Sequence, residues 1–223
     1  LVPGFQGSRA DDSVLSYSVS SRGRRVGSSG REVLVLVDGQ RLNNDWTGGA
    51  GQHTNLISIE NAERVELIRG PGSALYGSNA MLGVINIITR SERELVLETG
   101  TDDRRHASAQ WRAESEHGRI DVYARDTRSG GEDLVLFEPF TNPATPVQVN
   151  SSDPFRANDL YVRGEAGDFF LSGMASTRDA QHFYVAGYVD DLSNSYDTRT
   201  DNLALGWRHA FTDALKLEGR VFQ

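Results

Sequence analysis

The sequence predicts an α+β domain followed by an antiparallel β-sheet, and three observations support this fold class. Apolar strands flank a glycine-rich turn between residues 63 and 90. Beyond residue 90, apolar and polar side chains alternate within segments of roughly ten residues, which is typical of strands with two different faces. The connections between these segments are alternately short and long. We therefore expect one domain in residues 1–90 and a second in residues 91–223.

The first predicted element is a hairpin. Val33–Val37 is a run of valines and leucines, and Asp38-Gly39 follows it directly. Asp-Gly favours the two-residue turn that joins antiparallel strands, because both residues tolerate positive φ. Gln40–Leu42 then has the composition of a return strand. The pattern predicts a strand, a tight turn and a second strand.

The next predicted strand precedes a glycine-rich turn. Residues 63–69 mix apolar and charged side chains as a strand with one apolar face does, and they end at Gly70-Pro71-Gly72. Ser73 is predicted to cap a single helical turn that extends to Tyr76. Gly77 is predicted to close that turn in the left-handed conformation.

Gly83–Thr89 is predicted to be the last strand of the first domain. Its valine and isoleucines are branched at Cβ and nearly continuous. Such a run suits a strand that is buried on both faces. Asn86 interrupts the run, so we expect its carboxamide to have a buried hydrogen-bond partner.

The second domain is predicted to consist of about seven strands with one apolar and one polar face. In residues 106–114, for example, Ala107 and Trp111 alternate with Ser108 and Gln110. The clearest segments of this kind are residues 106–114, 119–125, 201–208 and 215–221, and residues 169–177 are a weaker case.

The connections in this domain favour two architectures. Short ones lie near residues 116–118, 165–168 and 211–214, and long polar ones span residues 129–157 and 177–199. A transmembrane β-barrel has tight turns on one side of the membrane and longer loops on the other. A soluble β-sandwich shows the same alternation of side chains, with its polar face in water. Taken alone, the pattern is compatible with both.

The order of motifs in residues 2–90 resembles the plug domain of TonB-dependent outer-membrane receptors. That family pairs an Arg-Gly segment, here Arg22-Gly23, with a hairpin of the type LVLVDG, here residues 34–39. The family also has a turn similar to ERVELIRGPGSALYG, here residues 63–77, and a closing strand GVINIIT, here residues 83–89. One position differs, because Leu82 stands where the family usually has the first glycine of a pair.

The resemblance implies an α+β plug domain in residues 1–90, followed by part of an antiparallel transmembrane β-barrel in residues 91–223. Barrels of this family close with more than about seven strands, so we expect an excerpt whose sheet has two open edges. The sequence begins at Leu1, without a Met or a signal peptide. The resemblance implies that the signal peptide, the TonB-contacting segment and the first part of the plug precede it.

The resemblance also implies a function. Receptors of this family lie in the outer membrane of Gram-negative bacteria and import a scarce nutrient, such as a ferric siderophore, haem or cobalamin. The implied partners are the TonB energy-transducing complex, outer-membrane lipid and a metal-chelate or cobalamin-like ligand, and no cofactor is implied. The alternative is a soluble β-rich binding or adhesion module. The hydropathy of the alternating face distinguishes these two hypotheses. In a transmembrane barrel, every position that faces lipid should be apolar.

Catalytic, metal-binding and nucleic-acid-binding patterns are poor matches. Residues 72–78 have the glycine spacing of a phosphate-binding loop but lack its lysine. The sequence contains neither a G-x-S-x-G nor an H-E-x-x-H motif, it has no cysteine, and its five histidines stand apart. A net charge of −8 with few clustered basic residues argues against a nucleic-acid partner. We therefore predict that the protein is not an enzyme, and the sequence identifies no metal-binding residue.

Ligand contacts are expected, by resemblance, at the plug apex and in the long loops of the second domain. Trp46 is the strongest candidate, because an aromatic ring with an N–H donor in a polar, glycine-rich stretch suits stacking on a large planar or macrocyclic ligand. Its alternative role is packing against the inner barrel wall. The apex candidates are Arg24, Arg25, Ser28, Asn44, Asp45 and Trp46. The loop candidates are Phe137, Phe140, Tyr184 and Tyr188.

Charged residues of the strand at 63–69 are the candidates for contact between the plug and the barrel. Arg64, Glu66 and Arg69 are expected to pair with charged residues of the barrel lumen. Polar contacts of this kind rearrange more easily than a hydrophobic interface. Solvation, or pairing within the plug itself, explains the same residues equally well.

Overall fold

The computed structural model describes residues 5–9, 17–21, 24–25, 31–43, 48–49, 58–138, 147–181, 184–185, 188–189 and 195–222. The chain divides into two compact units. The N-terminal unit contains Leu1–Arg90, Gly130–Phe155 and Asp179–Tyr196. The sheet unit contains Ser91–Ser129, Arg156–Arg178 and Asp197–Gln223. Most residues of the two long connections are therefore grouped with the N-terminal residues.

Strands make up most of the described chain. The first seven are β1 (Phe5–Arg9), β2 (Tyr17–Ser21), β3 (Arg24–Arg25), β4 (Val33–Val37), β5 (Gln40–Arg41), β6 (Ala62–Arg69) and β7 (Gly83–Thr89). A 3₁₀ turn at Ile59–Asn61 precedes β6, and the helical turn α1 (Ser73–Tyr76) lies between β6 and β7. The next six are β8 (Glu94–Thr99), β9 (Arg105–Ser115), β10 (Gly118–Ser129), β11 (Asp133–Glu138), β12 (Val147–Ser152) and β13 (Phe155–Ala166). The last five are β14 (Phe169–Gln181), β15 (Tyr184–Val185), β16 (Tyr188–Val189), β17 (Ser195–Ala210) and β18 (Lys216–Phe222).

A four-stranded mixed sheet in the order β5-β4-β7-β6 organises the N-terminal unit. β4 and β5 form the predicted hairpin, with Val37 opposite Gln40. β4 runs parallel to β7, and β6 runs antiparallel to β7. The parallel pair is possible because the long segment between β5 and β7, which includes β6 and α1, provides the crossover.

The core of this sheet lies around β4. All five residues of β4 are buried, and Leu34 and Leu36 pack with Ala80 and Val84. The prediction that β7 is buried on both faces is wrong for residues 85–88, which are only half-buried. Burial on both faces requires a layer on each side, and β6, the neighbour of β7, has mostly exposed side chains.

The turn after β6 differs in detail from the prediction. Ser73 is the first residue of α1 and forms no capping hydrogen bond, so the predicted cap is wrong. Gly72 precedes the helical turn instead, and its carbonyl accepts hydrogen bonds from the amides of Leu75 and Tyr76, each at 3.0 Å. Gly77 has a positive φ of 78°, as predicted, but its ψ of −148° lies outside the left-handed helical region. That combination is essentially restricted to glycine.

Smaller sheets complete the N-terminal unit. β1, β2 and β3 form a three-stranded antiparallel sheet. β11 pairs with β12, and β15 pairs with β16, as two antiparallel hairpins within the long connections. β11 also lies against β16. The described parts of the two long connections therefore contain one hairpin each, and a strand of one hairpin lies against a strand of the other.

The sheet unit contains a seven-stranded sheet in the order β18-β17-β14-β13-β10-β9-β8. Within the described residues, the edge strands of this sheet are β8 and β18. The β8–β9, β9–β10 and β17–β18 pairs are antiparallel. Short turns join β9 to β10, β13 to β14 and β17 to β18. Within the described residues, no helix has the length and apolar character needed to cross a membrane.

The two faces of this sheet are inverted relative to those of a water-soluble protein. In β9, Ser108 and Gln110 are buried, whereas Trp111 is 51% exposed. In β17, Ala204 is buried, whereas the leucine on either side of it is about half exposed. The alternation predicted from the sequence is therefore present, with the polar face inward and the apolar face outward.

Candidate functional site

The candidate ligand residues fall partly outside the described chain. Arg24 and Arg25 form β3, where Arg24 pairs with Ser21 and Arg25 with Ser20 in the backbone ladder. Phe137 lies in β11, Tyr184 in β15 and Tyr188 in β16. Because β11 lies against β16, the structure brings the strands of Phe137 and Tyr188 together. The other candidates, Ser28, Asn44, Asp45, Trp46 and Phe140, lie outside the described residues.

Asn43 and Gly48, the described residues on either side of residues 44–47, form hydrogen bonds that the sequence did not reveal. Asn43, just before this stretch, is buried and binds Val33 and Val35 of β4. Gly48, just after it, accepts hydrogen bonds from the side chains of Asn43 (3.1 Å) and Asn79 (2.7 Å). The sequence signal for these hydrogen bonds is the position of Asn43 and Asn79 beside glycine-rich turns, since asparagine side chains often form hydrogen bonds with nearby backbone.

Two of the three candidate plug–barrel residues pair with each other. Arg64 Nε lies 3.0 Å from Glu66 Oε1, and Arg64 Nη1 lies 3.1 Å from Glu63 Oε1. Asn86 Nδ2 also donates to Glu66 Oε2 at 3.1 Å. The hydrogen bond from Asn86 and the neighbouring Arg64 lower the pKa of Glu66, and the hydrogen bond to Glu66 raises the pKa of Arg64.

Arg69 differs from Arg64 and Glu66. Its side chain is exposed, and it forms no hydrogen bond or ion pair with any other described residue. Within the N-terminal unit, Arg64 and Glu66 therefore pair with each other. The predicted contact of Arg64, Glu66 and Arg69 with barrel residues stays a prediction.

The buried face of the sheet unit contains two Arg–Asp–Arg clusters. In the first, Asp159 binds both Arg125 and Arg178, and the side chains of Asp159 and Arg178 are 0% and 1% exposed. Ser176 donates a further hydrogen bond to Asp159. In this cluster two guanidinium groups bind one carboxylate.

The second cluster is looser. Asp121 lies 3.7 Å from Arg112 and 3.5 Å from Arg163, which is within ion-pair range but too long for a direct hydrogen bond. Arg163 instead donates to the hydroxyl of Ser91 at 2.8 Å. Clusters of this kind, on neighbouring strands, are what a polar lumen wall requires. Among the described residues, no group of three or more His, Cys, Asp or Glu side chains is arranged to hold a metal ion.

Part of the chain is similar to a known domain family and to known transporters. Residues 1–84 match the model of the TonB-dependent Receptor Plug Domain. Over 112 residues, the chain is 40% identical to the vitamin B12 transporter BtuB of Vibrio vulnificus (strain CMCP6). That match covers 48% of this chain and 17% of the transporter.

The fold is also similar to solved receptors. The ferric enterobactin receptor PfeA from Pseudomonas aeruginosa has a TM-score of 0.62 at 18% identity, over 99% of this chain and 36% of that receptor. The ferric yersiniabactin uptake receptor FyuA from Yersinia pestis has a TM-score of 0.58 at 21% identity, over 96% of this chain and 35% of that receptor. The chain thus spans about a third of these receptors. Residues 1–84 thus match the plug domain of TonB-dependent receptors, part of the chain is similar in sequence to BtuB, and the fold is similar to those of PfeA and FyuA.

Proposed function

We propose that the intact protein is an outer-membrane receptor that binds a scarce nutrient outside the cell and imports it into the periplasm. This proposal rests on the burial pattern of the seven-stranded sheet, in which one face has buried polar side chains and the other has exposed apolar side chains. A water-soluble protein rarely exposes a continuous apolar face, because such a face aggregates, whereas lipid covers it in a transmembrane barrel. The exposed apolar side chains of this face include Leu95, Leu97, Trp111, Ile120, Leu160, Leu203, Leu205 and Val221.

The polar face of the same sheet supports a water-filled lumen. Buried charges are costly unless they are paired, and here Asp159 is paired with two arginines. In a soluble β-sandwich, these inward-facing positions would be apolar and would form the hydrophobic core between the two sheets. Polar residues on the inner face and apolar residues on the outer face instead suit a barrel wall that separates water from lipid.

The connections and the aromatic residues support an orientation in the membrane. Trp207, His209 and Phe211 form an aromatic cluster at the short-turn end of β17, with ring centroids 4.5–6.2 Å apart. Aromatic girdles mark the membrane interfaces of outer-membrane barrels, and short turns face the periplasm. We therefore place this cluster at the periplasmic interface and the β11–β12 and β15–β16 hairpins outside the cell.

The relatives support the ligand class. BtuB is a vitamin B12 transporter, and PfeA and FyuA are receptors for ferric enterobactin and ferric yersiniabactin. We propose that this receptor takes a ligand of the same kind, which is a large metal chelate or a corrinoid. The plug would block the lumen until the ligand binds, and the TonB complex would supply the energy for import. The proposed contacts are Arg24, Arg25, Ser28, Asn44, Asp45 and Trp46 at the apex, with Phe137, Phe140, Tyr184 and Tyr188 in the loops.

Uptake by the full-length receptor tests this function. The receptor gene would be deleted from its host and restored on a plasmid, and uptake of radiolabelled cyanocobalamin and of ⁵⁵Fe-labelled enterobactin would be measured with and without TonB. We expect the plasmid to restore the uptake of one probe only when TonB is present. A full-length protein that fractionates with water-soluble proteins, without detergent, would contradict the proposal.

A further inference from the structure

We propose that a groove on the apolar face of the sheet unit binds one acyl chain of a phospholipid from the periplasmic leaflet. This outer groove has a cavity volume of about 610 Å³ and lies at the end of the sheet where the short turns are. It crosses five neighbouring strands, β10, β13, β14, β17 and β18. The inference rests on the proposed function, because it takes this face as the one that meets lipid.

The walls of the outer groove are side chains of the apolar face. Ile120, Phe169, Leu205 and Val221 line it, and they are 39–77% exposed. Leu205 and Val221 lie opposite each other in the β17–β18 ladder, so their side chains are on the same face. Walls of this kind offer apolar contact to an occupant and few hydrogen bonds, which suits a hydrocarbon chain.

Two glycines make room in the outer groove. A Cβ built on Gly164 would lie 3.7 Å from its nearest neighbour, the carbonyl oxygen of Arg119, which is an ordinary contact. A Cβ built on Gly219 would meet no described atom within 4 Å, apart from its neighbours in the chain. Neither glycine has a positive φ. Backbone conformation and crowding therefore do not require glycine at these two positions.

Glycine within a strand is unfavourable, and it often marks the place where a ligand approaches closely. Gly206 shows the contrast, because a Cβ there would overlap the ring of Phe170. Arg208 and Arg220 lie over that same ring, at 5.3 and 5.1 Å from its centroid. Packing within the protein thus explains Gly206, whereas Gly164 and Gly219 leave open space on the apolar face.

Trp207 connects the outer groove to a polar rim. It lines the groove, and its ring stacks on His209 with centroids 5.7 Å apart and an angle of 11° between the planes. His209 Nδ1 lies 2.7 Å from Asp168 Oδ2, and both side chains are partly exposed. A zwitterionic headgroup, with one phosphate and one ammonium group, complements this neighbouring nitrogen and carboxylate. The rim lies at the end of the sheet that we place at the periplasmic interface.

The size of the outer groove fits one acyl chain better than a second protein. Five strands that lie about 4.8 Å apart span about 19 Å. One leaflet of the hydrocarbon core is about 15 Å thick, so an extended acyl chain has a similar length. A stable protein interface uses about 20–30 residues on each side. The groove is lined by 13 residues, which is too few for a partner protein of that kind.

Native mass spectrometry of the full-length receptor in detergent micelles tests the outer groove. The receptor would be titrated with dioleoylphosphatidylethanolamine, and the dissociation constant of the most tightly bound lipid would be measured. The variant is Gly219→Leu, which places a side chain in the groove without backbone strain. We expect it to weaken this binding at least about tenfold, because the leucine displaces about two methylene groups of the acyl chain.

The matched control is Gly173→Leu. Gly173 lies on β14 outside the outer groove, and a Cβ built on it would make an ordinary contact of 3.6 Å with Leu203 on the apolar face. The control adds the same side chain to the same face, so its lipid affinity should stay within about twofold of wild type. Gly164→Leu is a second filling variant, with the same expected loss as Gly219→Leu, and it serves if Gly219→Leu does not fold.

Equal lipid affinities of wild type and a folded filling variant would overturn the proposal. A retained lipid with the mass of lipopolysaccharide would also overturn it, and so would a receptor dimer that Gly219→Leu dissociates, because the groove would then bind a second copy of the chain. A receptor that folds in vesicles but binds lipid equally in all variants would lose the groove and keep the proposed function. A receptor that stays in solution without detergent would contradict the proposed function itself.

Discussion

Arg178 binds Asp159 through both terminal nitrogens: Nη2 donates a hydrogen bond to Oδ2 at 3.2 Å, and Nη1 lies 2.9 Å from Oδ1 in an ion pair. The two side chains are 1% and 0% exposed. They lie on adjacent strands, β14 and β13, on the polar face of the sheet. Arg125 from β10 binds the same carboxylate. One carboxylate thus joins three neighbouring strands from the side of the sheet where a soluble protein would place its apolar core.

Asp159→Asn should destabilise the full-length receptor. The substitution removes the negative charge that both Arg125 and Arg178 bind, and removal of one partner from a buried ion pair costs about 3–5 kcal/mol. The free energy of unfolding, measured by urea titration in detergent micelles, checks this. The matched control is Asp201→Asn, since the Arg199–Asp201 pair is 74% and 52% exposed and such pairs contribute at most about 1 kcal/mol. Equal losses in the two variants would contradict the buried network.

Leu205→Arg should impair folding into lipid. Leu205 is on the apolar face of β17, opposite Val221 of β18. An arginine that faces lipid costs about 2–4 kcal/mol near the middle of the bilayer and about 0–1 kcal/mol near its surface. Leu215→Arg, at the short turn before β18, is the control. The folded fraction in phospholipid vesicles, read from heat-modified migration on gels, should fall for Leu205→Arg and stay near wild type for Leu215→Arg. Similar folding of both variants would show that Leu205 does not face lipid.

The stability conferred by Glu66 should depend on pH. The hydrogen bond from Asn86, together with Arg64, lowers the pKa of Glu66 in the folded protein. A carboxyl group of this kind contributes stability above its ordinary pKa, and the contribution disappears as the pH falls through the lowered value. The melting temperature of wild type relative to Glu66→Gln should therefore be higher at pH 7 than at pH 3. A difference that is independent of pH would exclude this contribution.

Trp46→Ala should weaken ligand binding at least several-fold, because a lost stacking contact removes both apolar contact and an N–H donor. Isothermal titration with the probe that the receptor imports measures the change. Trp111→Ala is the matched control, since Trp111 is on the exposed apolar face of β9 and is not one of the proposed ligand contacts. An affinity that is unchanged by Trp46→Ala would assign Trp46 to packing instead.

Much of the fold was predictable because its signals are local. Asp38-Gly39 specifies a hairpin turn, the run at Gly83–Thr89 specifies a strand, and strict alternation specifies a two-faced sheet. The burial of β7 and the cap of α1 were not predicted correctly. Burial depends on which layers cover a strand, which the local sequence does not show. The helical turn α1 begins with hydrogen bonds to the carbonyl of Gly72, so it forms without a side-chain cap.

Long-range polar contacts were not predictable from local patterns. Asp38 accepts hydrogen bonds from the amide and the hydroxyl of Thr89, at 3.0 and 2.6 Å, although 51 residues separate them. Asn79 reaches Gly48 across 31 residues. Periodicity shows which face of an element is apolar, but it does not show which polar groups meet when elements from distant parts of the sequence come together.

The environment of alternate residues along β17 tests most directly whether the apolar face of the sheet meets lipid. Nitroxide labels would be placed singly at positions 203–207 of the full-length receptor in lipid bilayers, and collision rates with oxygen and with a water-soluble nickel chelate would be compared by electron paramagnetic resonance. We expect high accessibility to oxygen for labels at positions 203, 205 and 207 and low accessibility to oxygen at positions 204 and 206, because the exposed apolar face meets lipid. High accessibility to the nickel chelate at 203, 205 and 207 would mean that this face meets water, and the receptor account would then be wrong.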